Sequence, residues 1–222
     1  MCGRYSLTKP IKTLKEHFKA VAVALDHHPR FNIAPSQQVP VVIAGKRERE
    51  IHALRWGLIP SWAKDPKKAA GLINARAETV HEKPSFRSSF KKRRCLVPAD
   101  GFYEWQVQNN QKFPQYIRKT SGGLFAFAGL WSEWDSGQGI LQTFTIITTT
   151  ANRQLQPIHD RMPVILPPEH YHTWMAPDTP AETLKTLLTP LAENTLEHYE
   201  VSKHVNSPGN DDEECILPAA DN

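Results

Sequence analysis

Arg94-Cys95-Leu96-Val97-Pro98-Ala99-Asp100-Gly101-Phe102-Tyr103-Glu104-Trp105 is the stretch on which the reading of the fold turns. Its first part, 94–98, is a short apolar run, and 101–107 is a second one rich in aromatic residues. Both have the length and side-chain content of strands. Period-two alternation places Phe102, Glu104 and Gln106 on one face, with Tyr103 and Trp105 on the other. Cys95 reads as a small apolar residue pointing into a core.

Comparable runs recur at 39–44, 51–56, 113–118, 124–131, 141–149 and 161–166, and a last strand is expected at 199–205. Helical patterns are scarcer. Ile11, Leu14, Phe18, Val21 and Leu25 predict an amphipathic helix over 11–25. Further helices are expected at 84–91, 167–175 and 180–189, the last two opening near prolines. The segment Phe31–Ser36 reads as a loop ended by Pro35. No internal repeat or long low-complexity linker divides the chain. The expected fold class is α+β: a single domain over 1–206 with a curved, mostly antiparallel sheet or barrel-like core and a few peripheral helices. A polar, acidic and mobile tail is expected over 207–222.

With 222 residues, 40% of them hydrophobic, the chain can bury a substantial core without metals or cross-links. No apolar run approaches the ~18 residues of a transmembrane helix. Lys9, Lys12 and Lys15 interrupt any signal-peptide core, so a cytoplasmic protein is expected, or a nuclear one if eukaryotic. Cys2, Cys95 and Cys215 form no C-x-x-C pair, which argues against a disulfide framework or zinc module. The histidines, His27-His28 and His170-x-His172 included, read as surface residues, and no metal or cofactor is expected. Between Lys83 and Arg94 lie six Lys/Arg and no acid, with Lys64, Lys67, Lys68 and Arg76 upstream. This cluster suits phosphates, or is simply a solvated face. There is no P-loop, G-x-G-x-x-G, H-E-x-x-H or G-x-S-x-G motif.

Four segments can carry chemistry. Glu104 among aromatics would be desolvated, with a raised pKa suited to proton transfer, unless it faces solvent on a sheet edge. His159, in Ile158-His159-Asp160-Arg161-Met162-Pro163, has the side chain that titrates near neutrality, or is a satisfied structural histidine. In Asn74-Ala75-Arg76-Ala77-Glu78-Thr79, Asn74 can read a hydroxyl and Arg76 can fork onto a phosphate. Alternatively Asn74 caps a helix and Arg76 pairs with Glu78. Trp56-Gly57-Leu58-Ile59-Pro60-Ser61-Trp62 offers a tryptophan for stacking, although Trp56 suits core packing better.

Cys2 stands directly behind Met1. Loss of Met1 would leave a thiol and a free α-amine on adjacent carbons. Such an aminothiol condenses with an aldehyde to an imine and closes to a thiazolidine, or acts as a nucleophile with its own amine as base. An α-amine titrates near 7.7–8.0, so a useful neutral fraction exists at physiological pH.

Taken in order, Met1-Cys2-Gly3-Arg4-Tyr5, Arg30-Phe31-Asn32-Ile33-Ala34-Pro35, Trp56-Gly57-Leu58-Ile59-Pro60, Asn74–Thr79, Pro98–Trp105 and Ile158–Pro163 resemble the SOS-response-associated peptidase (SRAP) family over nearly the whole chain. The resemblance implies a monomeric protein that binds single-stranded DNA and crosslinks covalently to abasic sites. It implies Cys2 as the nucleophile after removal of Met1, by autoproteolysis or by an aminopeptidase. Glu104 would move protons at the Schiff base, His159 would open the sugar, and Asn74 would line the pocket. Arg4, Arg76 and Arg161 match phosphate contacts. Asn32 and Pro35 fall in a DNA-contacting loop, and Trp62 sits where an aromatic wedge is expected, although Ala63 replaces the second tryptophan of some members. Two other classes stay open: an N-terminal-nucleophile glutamine amidotransferase, and a non-covalent single-strand binding module.

Overall fold

The computed structural model describes residues 2–65 and 71–219. Met1, Lys67 and Lys68 lie outside them, as do the last three residues of the expected tail. The quoted stretch forms two strands, β7 (Arg94–Ala99) and β8 (Gly101–Gln108), which lie in different sheets. β7 joins a closed set. It pairs with β4 (Gln38–Ala44) and β10 (Phe125–Asp135); β4 pairs with β5 (Arg49–Trp56), and β10 with β11 (Ile140–Thr150). Parallel pairing of β5 with β11 at Arg55–Thr143 and Trp56–Phe144 then closes the five strands into a barrel. Closure removes the open edges that a flat sheet of this size would leave.

β8 sits in a five-stranded sheet ordered β14 (Leu196–Glu200), β9 (Gln111–Lys119), β8, β1 (Tyr5–Leu7), β3 (Arg30–Ile33). The expected alternation along β8 holds. Phe102 packs into the main core, whereas Tyr103 and Trp105 join a second apolar cluster with Tyr116, Val201, Val205 and Cys215. Between the sheets, Phe127 makes edge contacts with Tyr5, Phe102 and Phe125 at centroid distances of 5.8, 5.9 and 5.3 Å. Aromatic pairs of this kind add about 0.5–1.5 kcal/mol each beyond area burial. Gly101 is required where it stands: a Cβ there would lie 2.2 Å from the Tyr116 ring. Trp56 and Cys95 are both buried, as expected.

Several elements differ from the sequence reading. The first helix, α1 (Ile11–Phe18), stops at Lys19 in the left-handed conformation (φ 49°). Residues Ala20–Ala22 then form β2 and pair in parallel with β5, so the sheet claims Val21 from the helical pattern. Phe31 and Asn32 lie in β3, and the loop begins only after Ile33, because pairing with β1 outweighs the brevity of the run. The region 84–91 holds α2 (Arg87–Lys92). The pattern at 167–175 splits into a 3-10 turn, Pro168–His170, and α3 (Tyr171–Met175), while α4 spans Ala181–Thr186. The last strand starts and ends earlier than expected, and Lys203–Asn206 form a 3-10 turn.

Residues 207–219 were expected to be mobile, yet they fold back onto β3 and β8. Asp211 accepts from the backbone N–H groups of Phe31 and Asn32 at 2.6 and 2.8 Å and pairs with Arg30. Cys215, at 0% exposure, is sealed beneath Tyr103, whose hydroxyl donates to the carbonyls of Phe31 and Cys215. Capping of exposed strand groups by a distant carboxylate gives the acidic run a structural use.

Candidate active site

The start of the chain is pinned inside the five-stranded sheet, because β1 runs between β8 and β3. Asp100, half a turn before β8, holds it: one carboxylate oxygen accepts from Ser6 Oγ at 2.6 Å, the other from Thr8 N and Thr8 Oγ1 at 2.7 and 2.5 Å. Tyr103 N donates to Arg4 O at 3.0 Å, which brings Glu104 alongside the residues that precede β1. Cys2 is fully buried at this end. Burial pushes its thiol far above the ordinary cysteine range, and the nearby Glu104 carboxylate adds to the shift. The sulfur is therefore held as a thiol.

Asn74 closes one side. It opens β6 (Asn74–Arg76), which pairs in parallel with β11 at Asn74–Ile146 and Arg76–Thr148. Its Nδ2 donates to Cys2 O at 2.8 Å, while its buried Oδ1 has no hydrogen-bond partner among the described residues. Thr148 Oγ1 is in the same condition. The register places both on one face of the β6–β11 pair, so two unfilled polar atoms converge there. Buried polar atoms are ordinarily satisfied, and an exception marks a place for a ligand or water. Asn74 caps no helix. Nothing local in the chain marks Thr148, one of three consecutive threonines.

Glu104 is 5% exposed, and burial raises its carboxyl pKa to about 7. It therefore switches between acid and base near neutrality, where proton transfer in either direction is easiest. Of the two sequence readings, the desolvated one describes this residue. His159 lies at the end of the 151–160 loop, which is closed by Ala151 N on Asp160 O at 2.9 Å. Gln106, two residues along the Glu104 face, donates to Pro157 O at 3.1 Å and ties this loop to β8. His159 Nδ1 accepts from Arg161 N at 2.9 Å, so the neutral ring carries its proton on Nε2. Partial burial lowers its pKa, favouring that neutral form; once protonated, Nδ1 faces Asp160 at 2.8 Å.

The expected DNA-contacting residues divide. Arg76 is exposed, and its guanidinium makes no hydrogen bond or ion pair among the described residues. Arg161, on β12 (Arg161–Pro163), is engaged by Glu78, which the sequence reading had offered to Arg76. Trp62 is 63% exposed and borders an apolar hollow with Pro60, Ala63 and Leu72. Pro35 is half-buried in the turn between β3 and β4. Asn32 departs from expectation: it is 0% exposed, and its Nδ2 faces the carbonyls of Val205, Ser207 and Asn210. Its side chain anchors the C-terminal segment. Arg4 is shared: Nη1 donates to Asn32 Oδ1 at 2.8 Å and Val205 O at 2.9 Å, and the guanidinium lies 5.7 Å over the Trp105 ring. Metal-type donors gather among the described residues only in the C-terminal segment, at His204, Asp212 and Cys215.

The cysteine behind Met1, an acid poised near neutrality, a neutral imidazole and unfilled polar atoms thus share one end of the sheet. Comparison with known proteins agrees with the motif pattern. The family profile described as SOS response associated peptidase (SRAP) matches residues 1–208. A Bacillus subtilis protein named abasic site processing protein YoqW is 44% identical over 221 residues, covering 97% of this chain and 99% of that one. The Xenopus tropicalis abasic site processing protein HMCES is 34% identical over 223 residues, covering 86% of this chain and 66% of that one. Among solved structures, a Bacteroides thetaiotaomicron protein superposes with a TM-score of 0.89 at 26% identity, covering 99% and 100% of the two chains. This chain belongs to the SOS response associated peptidase family.

Proposed function

We propose that this protein processes abasic sites in single-stranded DNA, capturing the sugar aldehyde as a thiazolidine on Cys2 after Met1 is removed. The observation that carries this reading is the Cys2–Asn74–Glu104 arrangement: a buried aminothiol position anchored through its own carbonyl, beside a carboxyl that titrates at about 7. The names of the relatives supply the substrate class.

The chemistry follows from the groups. An abasic sugar is mostly a closed hemiacetal. His159, with its proton on Nε2, protonates the ring oxygen as the hydroxyl proton leaves, exposing the aldehyde. The Cys2 amine adds to that carbonyl, and Glu104 in its acid form gives a proton to the departing hydroxyl, releasing water and an iminium. The thiol then attacks the iminium carbon while the Glu104 carboxylate takes its proton. Aldehyde plus aminothiol thus becomes thiazolidine plus water. Because the thiol pKa is raised, this proton acceptor is needed at the closing step. Asn74 Oδ1 and Thr148 Oγ1 are suited to the sugar hydroxyls.

Arg76 and the basic residues of α2 favour a backbone-directed, sequence-tolerant contact. The protein acts in this reading as a monomer. Enzymatically it is a DNA–protein crosslinking protein, and the peptidase activity in the family name reduces here to loss of Met1.

The test is intact mass and denaturing electrophoresis after incubation with a uracil-excised single-stranded oligonucleotide. A heat-stable adduct one water lighter than the sum of mature protein and DNA is expected, and Cys2→Ala removes it while leaving DNA affinity nearly unchanged. A heat-stable adduct with Cys2→Ala, or glutamine hydrolysis in place of an adduct, overturns the reading.

A further inference from the structure

The C-terminal segment brings together three different donors. A ring nitrogen of His204, a carboxylate oxygen of Asp212 and Cys215 Sγ all lie within 4.8 Å of one another. His204 Nε2 is 3.0 Å from Asp212 Oδ2 and 4.0 Å from Glu214 Oε2. Each donor is braced from behind. Asp212 Oδ1 accepts from Glu214 N at 3.1 Å, which turns Oδ2 towards His204. Cys215 is fully buried and its Sγ lies 3.4 Å from Asn210 O. His204 Nδ1 lies 3.1 Å from Asn210 Nδ2, which also donates to His204 O at 2.7 Å and so fixes the position of the ring.

We propose that His204, Asp212 and Cys215 form a zinc-binding site, with Glu214 or a water as fourth ligand, that locks the C-terminal segment onto β3 and Arg4. A histidine–aspartate ion pair accounts for two of the donors, and Cys215 brings a third, softer donor to the same point. A dication placed between the Cys215 sulfur and the Asp212 carboxylate balances the charge of that pair. Local geometry supports the grouping: Asp212 and Cys215 are three residues apart at a 3-10 turn, Glu213–Ile216, where i and i+3 eclipse.

The donor set selects the ion. Thiolate, imidazole and carboxylate together suit tetrahedral Zn2+, whereas Ca2+ and Mg2+ require oxygen ligands. Binding displaces the Cys215 thiol proton and leaves the imidazole proton on Nδ1, which requires the Asn210 amide, donating from Nδ2 to His204 O at 2.7 Å, to rotate. A second proton leaves when the imidazole starts charged, and no oxidant or reductant takes part. The site has consequences for DNA contact, because Asn210 and Asp211, adjacent to the ligand Asp212, are the residues that hold Asn32, and Asn32 holds Arg4.

The full-length protein, stripped with a chelator, is titrated with Co2+ as the optical probe. Tetrahedral ligand-field bands with a thiolate-to-cobalt charge-transfer band at one equivalent are expected, and Zn2+ displaces them. Cys215→Ser abolishes the charge-transfer band, whereas Cys2→Ala retains it. Zn2+ raises the Tm of wild type and not of His204→Gln, a partly exposed position whose substitution leaves the core intact. A band that survives Cys215→Ser overturns the proposal. So does wild-type protein that shows neither the band nor the Tm shift.

Discussion

Glu78 grips Arg161 with both carboxylate oxygens, at 2.6 Å to Nη1 and 2.9 Å to Nη2, while Thr148 O accepts from the same Nη2 at 2.6 Å. The guanidinium is thus fixed two residues from His159, and its buried Nε has no hydrogen-bond partner among the described residues. Arg76, one strand away, has no such partner. Two arginines that the motifs treat alike therefore stand in different electrostatic states, one neutralised by an internal carboxylate and one facing solvent.

Glu78→Gln removes that internal anion. Single-stranded DNA affinity is expected to rise several-fold at low salt, and the slope of log affinity against log salt should steepen by about 0.7 as Arg161 becomes available to one more phosphate. Fluorescence anisotropy over a salt series measures both. The clamp also has a defined pH range. The Arg161 hydrogen bond draws the Glu78 pKa below the ordinary range of about 4.3. Its contribution is therefore complete above that unfolded value and fades as pH falls through the lower folded one. The difference between wild type and Glu78→Gln should persist at pH 5 and vanish in stronger acid.

Arg76→Ala has the opposite effect. Binding weakens for every oligonucleotide sequence to a similar extent, and the salt slope shallows by about 0.7. Crosslinking at saturating DNA should stay close to wild type, because Arg76 touches none of Cys2, Glu104 or Asn74. A loss confined to one sequence context contradicts a phosphate role.

Glu104 makes a pH signature that can be read in stability. Its folded carboxyl titrates at about 7, above the ordinary glutamate value of about 4.3, so the folded state binds the extra proton between these two values. Stability from this group is complete below the lower value, declines as pH rises, and levels off beyond the upper one. The cost on the high-pH side is about 3 kcal/mol as an upper figure. Glu104→Gln should accordingly be more stable than wild type at pH 8 by a good part of that amount, with no advantage at pH 4. Urea denaturation at the two pH values decides it. The same substitution should slow crosslinking and remove the inflection near neutrality from its pH profile.

What the sequence disclosed and what it withheld follow one physical rule. The Phe102/Tyr103/Glu104/Trp105 alternation was legible because period two is a local property, and it put Glu104 on the same face as Phe102, leaving open whether that face was buried. The barrel strands were legible for the same reason, as apolar runs long enough to stand alone. Val21 misled because its helical spacing with Phe18 and Leu25 competes with pairing to β5, which only tertiary structure supplies. Asn32 and Asp211 are 179 residues apart, and nothing local signals that one caps the strand of the other. Thr148 gains its importance from register, since only pairing with Arg76 two places after Asn74 brings its hydroxyl to the site. The motifs thus mark the chemical groups, whereas the packing that fixes them depends on distant partners.

Asn32 provides the sharpest test of such a distant partnership. Its buried amide faces three carbonyls of the C-terminal segment at 3.1, 3.0 and 2.6 Å and accepts from Arg4 at 2.8 Å. Asn32→Ala deletes these bonds and leaves buried carbonyls with fewer donors, a loss of about 2–4 kcal/mol. Tm should fall, and hydrogen exchange should quicken selectively over 203–217 while the barrel strands stay protected. DNA affinity should fall as well, through a loosened Arg4 and without any contact from Asn32 itself. Asn32→Asp separates anchoring from mere bulk: a carboxylate facing the same carbonyls and Asp211 is repelled, so it should be less stable than Asn32→Ala at pH 7. If Asn32→Ala leaves exchange over 203–217 unchanged but lowers DNA affinity, Asn32 meets DNA directly and the anchoring role is wrong.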